Sequence, residues 1–199
     1  MSTFGLLDYS MNKDQIISQI ETKYCKLSEE SKAAWLNKSK LLHLKKSEIL
    51  VKEQTRSDKI WFIAEGSLRA YYMKDGKKIC DWFAFENEFI SAITSFYSDQ
   101  PSLHQIDTLS DTILLESSRE DISELCDQFH DFERLGRLST TETMIRLQQR
   151  IVSLQFETAH QKLQNLLKQY PNIYLKIPLG DIASYLGITQ ETLSRLRAK

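Results

Sequence analysis

From about Asp131 through Phe156 the chain carries neither glycine nor proline after Gly136, and its apolar side chains in that run fall on two separate stripes. Met144, Leu147, Ile151 and Leu154 recur at three, four and three residues, the spacing of a coiled-coil seam, while Leu138, Ile145 and Val152 recur at seven. A run of this kind predicts one long helix with two surfaces to cover. The first stripe is assigned to the same helix of a second chain, making a homodimer, and the second to the helix's own body. Whatever precedes and follows this helix is therefore organised around it.

The preceding part changes period along its length. Met11 to about Leu44 reads as helical, with Ile16, Ile17, Ile20 and Tyr24 on one stripe. After it, "KSEILVKE", "KIWFIAEG" and "SLRAYYMKDGKKICDWF" are β-prone, and Asp75-Gly76 lies between aromatic and β-branched flanks as a tight hairpin turn requires. "NEFISAITSF" and "HQIDTLSDTILLESS" continue the pattern, so residues 45 to 118 predict a barrel or roll of short antiparallel strands. Ser118 then caps a short helix over "SREDISELCDQF", with Asp121 three residues on.

Beyond the long helix, Thr158 to Gln169 forms another amphipathic segment closed by Tyr170-Pro171, and "IYLKI" is a strand candidate. Charge also divides here. From Met144 onward there are eight Lys or Arg against three Asp or Glu, in a chain whose net charge is only −1, so an acidic body precedes a basic tail suited to a polyanion. Cys25, Cys80 and Cys126 are odd in number and widely spaced, which excludes a disulfide framework and a thiolate cluster. His43, His104, His130 and His160 show no metal-ligand spacing, so neither a metal nor a cofactor is expected. No apolar run approaches the roughly eighteen residues that cross a bilayer, and the first residues do not read as a signal peptide, so a cytoplasmic protein without membrane contact is expected.

The last segment carries the functional signal. Counting Leu179 as one, Ile182, Leu186, Ile188, Leu193 and Leu196 fall at four, eight, ten, fifteen and eighteen, with Ala183 at five and Gly187 at nine. Small residues at a steep helix crossing, a residue tolerant of positive φ in the turn, and branched side chains sealing the inner faces make a helix-turn-helix pattern. Thr189 is the expected N-cap of the second helix, and Glu191 suits the positive end of its dipole. With Leu193 and Leu196 inward, Gln190, Glu191, Ser194 and Arg195 face outward, where Arg reaches guanine, Glu accepts from cytosine and Ser bonds a base or phosphate. Arg197 and Lys199 are expected phosphate contacts. The competing reading is an ordinary surface ion pair between Glu191 and Arg195.

"IPLGDIASYLGITQETLSRLRAK", with "AEGSLRAYY", "DWFAFENEF" and "SFYSDQPS", resembles the Crp/Fnr family of bacterial transcription regulators, in particular the short members common in Bacteroidetes. The resemblance runs from about residue 30 onward. It implies an α+β fold with a cyclic-nucleotide-binding-like β-roll of jelly-roll or cupin kind, a long dimerisation helix and a C-terminal winged helix-turn-helix with a minimal wing. The divisions follow as 1-128, 129-156 and 157-199. It implies double-stranded DNA and RNA polymerase as partners, and it carries the family's E-x-x-S-R reading residues onto Glu191, Ser194 and Arg195, with Gln190 as a further base or phosphate contact.

The roll departs from the family where a cyclic nucleotide is held. Ser91 and Ala92 replace the Gly-Glu pair, no Arg-Ser/Thr-Ala follows, and no arginine lies between Arg69 and Arg119. A buried phosphate without a cation is prohibitively costly, so cyclic AMP in the usual pose is not expected. Any other small effector would be sought around Phe83, Phe85, Phe89, Ile90, Ser91, Ile93 and Leu103, with His104 as a weak phosphate ligand, and plain core packing is the simpler reading of that set. Cys80 beside Trp82 reads as a small buried hydrophobe before it reads as a redox switch. Against the regulator stand a ligand-binding or enzymatic cupin-like protein and a protein-interaction module. In both, the terminal helices read no DNA, and the first requires a metal or phosphate constellation that the roll does not display.

Overall fold

The computed structural model describes residues 11–198. Two helices, α1 (Lys13–Lys23) and α2 (Glu29–Lys38), precede eight strands: β1 (Lys40–Leu44), β2 (Ile49–Val51), β3 (Lys59–Glu65), β4 (Ser67–Lys74), β5 (Lys77–Phe85), β6 (Phe89–Ser91), β7 (Gln105–Thr108) and β8 (Thr112–Ser118). A short helix, α3 (Ile93–Ser98), interrupts them between β6 and β7. They form two four-stranded antiparallel sheets, ordered β1-β8-β3-β6 and β2-β7-β4-β5. The helices α4 (Arg119–Gln128), α5 (His130–Phe156), α6 (Ala159–Gln169), α7 (Ile173–Lys176), α8 (Leu179–Leu186) and α9 (Gln190–Arg197) follow.

Several local expectations hold. Asp75 and Gly76 take positive φ of 51° and 73°, and Lys74 faces Lys77 across them, the two-residue turn expected for β4 and β5. Ser118 caps α4 by accepting from Asp121 N. Ile16, Ile17 and Ile20 are buried against Trp35, Phe62, Ile113 and Phe132, and the Tyr24 hydroxyl on the same stripe donates to Glu142 at 2.6 Å.

Two expectations fail for the same reason. "KLLHL" does not extend the N-terminal helix; it is β1, with Leu41 facing Leu115 and Leu42 facing Leu114 on β8. "IYLKI" is not a strand but the single turn α7, with Ile177 N donating to Ile173 O at 2.8 Å. Residues four apart share a face in either conformation, so Ile173 and Ile177 reach the core both ways. The intervening Leu175 decides: a strand would bury it with them, and it is 87% exposed. With that strand gone, no strand follows β8 among the described residues, and the expected wing has no counterpart there.

The strand β5 has two faces with different tasks. A bulge opposite Ala70 and Tyr71 leaves Asp81 unpaired and reverses the alternation, so that Cys80 joins Phe83 and Phe85 on one face while Trp82 and Ala84 point into the roll. The roll interior is filled by Trp61, Ile63, Leu68, Ile106 and Leu114, among others. The opposite face is covered by α6, α7 and α8, whose Leu163, Leu166, Ile173, Ile182 and Leu186 share one core with Cys80, Phe83 and Phe85. Ser184 of α8 serves the exposed edge of β5, accepting from Cys80 N at 2.9 Å and donating to Lys78 O at 3.2 Å.

The strongest tie between roll and terminal helices is ionic. Arg69 on β4 holds both oxygens of Asp107 on β7, at 2.7 and 2.9 Å, and donates its remaining arm to Asp181 in the first turn of α8. All three side chains are largely buried. Replacing Asp181 by Ala removes one charge-assisted bond and leaves Arg69 paired, a loss of about 1–3 kcal/mol. Arg69→Ala strands two carboxylates and costs about 3–5 kcal/mol. Urea unfolding of both variants checks the order, and an Arg69 variant as stable as the parent contradicts the clamp.

Candidate nucleic-acid interface

The helix α8 ends at Gly187, whose φ of 67° places it in the left-handed region. Gly187 N donates to Ser184 O and Ile188 N to Ala183 O, both at 3.0 Å, the paired bonds that close a helix and turn the chain sharply. Thr189 then caps α9, its hydroxyl accepting from Thr192 N at 3.2 Å. Ala183 and Leu186 on α8 are buried against Leu193, which is 0% exposed, with Ile188 and Leu196 packed at the margin.

Burying Leu193 orients the rest of α9. Thr189, Gln190, Glu191, Ser194 and Arg195 are all exposed, at spacings of three and four along the outward side. Glu191 and Arg195 form no hydrogen bond or close ion pair with one another among the described residues; Arg195 Nη2 instead donates to Thr192 Oγ1 at 3.4 Å. The Glu191 carboxyl is held below its ordinary value, first by its own backbone N–H at the helix start and then by the Thr189 side chain. It is an acceptor-only carboxylate at neutral pH. Arg197 is exposed, with its guanidinium 4.5 Å over the Tyr174 ring on α7. Lys199 lies outside the described residues.

The long helix is attached to its own body by polar as well as apolar groups. Phe132 and Leu135 are buried in the core shared with α1 and α2. Farther along, Arg146 pairs with Glu88 at 3.0 Å, donates to the Tyr170 hydroxyl at 2.8 Å and stacks 4.3 Å over Trp82. Met144, Leu147, Ile151 and Leu154 are therefore left exposed, Met144 by 62% and Ile151 by 51%. Of the second stripe Leu138 is half-buried while Ile145 and Val152 are exposed, which corrects the expectation that the whole of this stripe meets the helix's own body. Arg146 and Arg150 occupy the body-facing side instead.

The residues considered for an effector pocket are dispersed. Phe83 and Phe85 lie under the terminal helices, Phe89 packs against Phe62 and Tyr24, and Ile90 is inside the roll. Ser91 ends β6, and Ile93 and Leu103 are exposed. Phe89 borders a cavity of about 370 Å³ between the roll and the first half of α5, which the others do not line. His104 Nε2 sits 2.8 Å from Asp81 Oδ2 rather than facing a ligand space. Cys80 is buried, and burial pushes its thiol well above the ordinary range. Sequence reading missed the part of Arg69 and Asp181; the available signal was an arginine inside a β-prone run and a carboxylate opening an otherwise apolar helix.

Among the described residues no helix is long and apolar enough to cross a membrane, and no group of three His, Cys, Asp or Glu could hold a metal ion. Residues 41–129 match the cyclic nucleotide-binding domain family. No curated protein matches the chain in sequence. Among solved structures, FixK2 from Bradyrhizobium japonicum is similar at 18% identity over 80% of this chain and 83% of that one, with a TM-score of 0.70. A CooA variant from Carboxydothermus hydrogenoformans is similar at 19% identity over 86% and 79%, TM-score 0.67. The c-di-GMP responsive global regulator CLP of Xanthomonas campestris is similar at 13% identity over 86% and 90%, TM-score 0.67. At these identities the likeness is one of fold.

The His104–Asp81 pair sets a pH dependence. The Asp81 hydrogen bond raises the His104 pKa above 6.5, against the opposing effect of burial. A raised histidine stabilises below its unfolded value, near 6.5, and that contribution is lost as pH rises through the folded value. The melting temperature should fall as pH rises above about 6.5, by an amount that His104→Gln reduces. An unchanged pH profile in that variant contradicts the assignment.

Proposed function

We propose that this chain is a homodimeric, sequence-specific DNA-binding regulator of transcription of the Crp/Fnr kind. The observation that carries it is the outward set Gln190, Glu191, Ser194 and Arg195 on α9, exposed above a fully buried Leu193. A helix so mounted fits a major groove, with Arg195 addressing guanine O6 and N7, Glu191 accepting from cytosine N4, and Thr189, Ser194 and Arg197 bonding phosphates or bases. The likeness of fold to a protein described as a global regulator of virulence gene expression supports the reading.

The exposed apolar stripe on α5 supports the dimer. Large apolar side chains lining one helix at seam spacing require a partner, and a second copy presents the same seam. The two α9 helices then address half-sites of a palindrome about 34 Å apart, one turn of duplex. The filled roll interior and the Arg146–Trp82 stack at its mouth support a regulator that does not hold cyclic AMP in the usual pose, despite the family match. The family match and the likeness to a protein described as a regulator favour a role without catalysis.

Duplexes selected from a random pool by the wild type should share a palindromic half-site. Arg195→Ala should relax preference at one base pair by about 1–3 kcal/mol while retaining salt-dependent binding. Recovery of one unaltered motif by both proteins contradicts the reading of α9. Ile151→Glu places a charge in the proposed seam and should convert the dimer to monomer in sedimentation equilibrium; a parent chain that is already monomeric contradicts the seam.

A further inference from the structure

A cleft of about 760 Å³ opens where the second half of α5 faces α6 and the end of α8, and Trp82 is the roll's one contribution to it. That volume lies within the roughly 300–1,000 Å³ of small-molecule sites. Four cations line it, Arg146, Arg150, Lys162 and Lys168, against the single carboxylate of Glu157. The excess follows the basic character of the chain from Met144 onward, eight Lys or Arg against three Asp or Glu, and the fold gathers four of those eight around one cleft.

The charges are differently committed. Arg146 is neutralised by Glu88. Arg150 is held only by neutral groups: Nη2 donates to Tyr185 O at 2.8 Å, and the guanidinium lies 3.7 Å over the Tyr185 ring, leaving donors unused. Lys162 makes one long contact, to Leu154 O at 3.4 Å. Lys168 has no hydrogen bond or ion pair among the described residues. Glu157 forms no ion pair with them, one oxygen accepting from Ser153 Oγ at 2.6 Å and the other from Asn165 Nδ2 at 2.8 Å, though its charge remains in the cleft. Three cations without an ion-pair partner among the described residues, on two elements, thus line one concavity, and against Glu157 they leave an excess of two positive charges.

We propose that this cleft binds a small oligophosphate anion, a chain of two or three phosphates either free or carried by a nucleoside. Lys162 and Lys168 are six residues apart on α6, about 9 Å along its axis and about 120° apart around it, so Lys162 lines the cleft and the exposed Lys168 stands at its rim, with Arg150 on α5. A single phosphate is too compact to bridge that separation of about 9 Å, whereas the chain of a diphosphate or triphosphate, met by flexible lysine side chains, is long enough to do so. Bound there, it ties α5 to α6 beside α8, the helix that carries α9. The site lies apart from the roll interior, and the proposal does not depend on DNA reading.

Calorimetric titration of the full chain at about 0.15 M salt with tripolyphosphate, ATP and inorganic phosphate tests it. Tripolyphosphate should bind saturably, with inorganic phosphate at least tenfold weaker. Equal affinity for ATP assigns recognition to the phosphate chain alone, and tighter ATP binding adds the nucleoside. Lys162→Gln with Lys168→Gln should weaken binding at least tenfold at an unchanged melting temperature; if the pair folds poorly, the exposed Lys168→Gln alone is read the same way. Absence of saturable binding up to millimolar probe, or unaltered affinity in these variants, overturns the proposal. So does full displacement of the probe by a duplex of arbitrary sequence, which would assign these cations to a DNA backbone. Because the titrations with phosphate probes contain no DNA, their result is separate from that of the duplex selection.

Discussion

The bidentate pairing of Arg69 with Asp107, completed by Asp181, is the constraint on which the position of the terminal helices depends. A guanidinium largely removed from water requires full neutralisation, and Asp107 on the adjacent strand supplies only part of its bonding. The rest comes from the first turn of α8. That helix is consequently fixed by its start as well as by its apolar face, and α9 inherits its orientation through Gly187. Burial pulls the Arg69 pKa down, and the two carboxylates more than restore it, so the clamp stays charged.

The bulge at Asp81 completes the same joint. Without the reversal of alternation, Cys80 would face away from Phe83 and Phe85, and the surface that α8 covers would lack its floor. With it, β5 offers a continuous apolar strip and a backbone edge that Ser184 satisfies. Apolar contact supplies most of the attraction, and the ionic and edge bonds select one placement among the many that greasy surfaces allow.

The helix α5 is shared between three surroundings. Its first turns are buried in the core, its second half faces the roll and terminal helices through Arg146 and Arg150, and its apolar residues from Met144 to Phe156 lie on the sides left over. With arginines turned toward the body, the hydrophobic stripes are left exposed. The same arrangement also concentrates positive charge in the cleft beside α6. Residues 41–129 match the cyclic nucleotide-binding domain family, and the interior of the roll is packed with apolar side chains.

Local chemistry made much of this legible from the amino-acid order: the Asp75-Gly76 turn, the Ser118 and Thr189 caps, the long helix, and the division of α9 into buried Leu193 and exposed Arg195 all follow from interactions within a few residues. Where two conformations place the same residues inward, local information was insufficient. Ile173 and Ile177 satisfy helix and strand alike, and "KLLHL" became a strand because β8 lay alongside. The dispersal of Phe83, Phe89 and Ile90 over three cores was decided by a bulge and by which helices cover which sheet face. The role of Arg69 was decided by residues 38 and 112 positions away. Propensity, capping and periodicity act over one or two turns of chain and are written in its order; partners for buried charge and the cover of a sheet face are set by long-range packing, which only the tertiary structure determines.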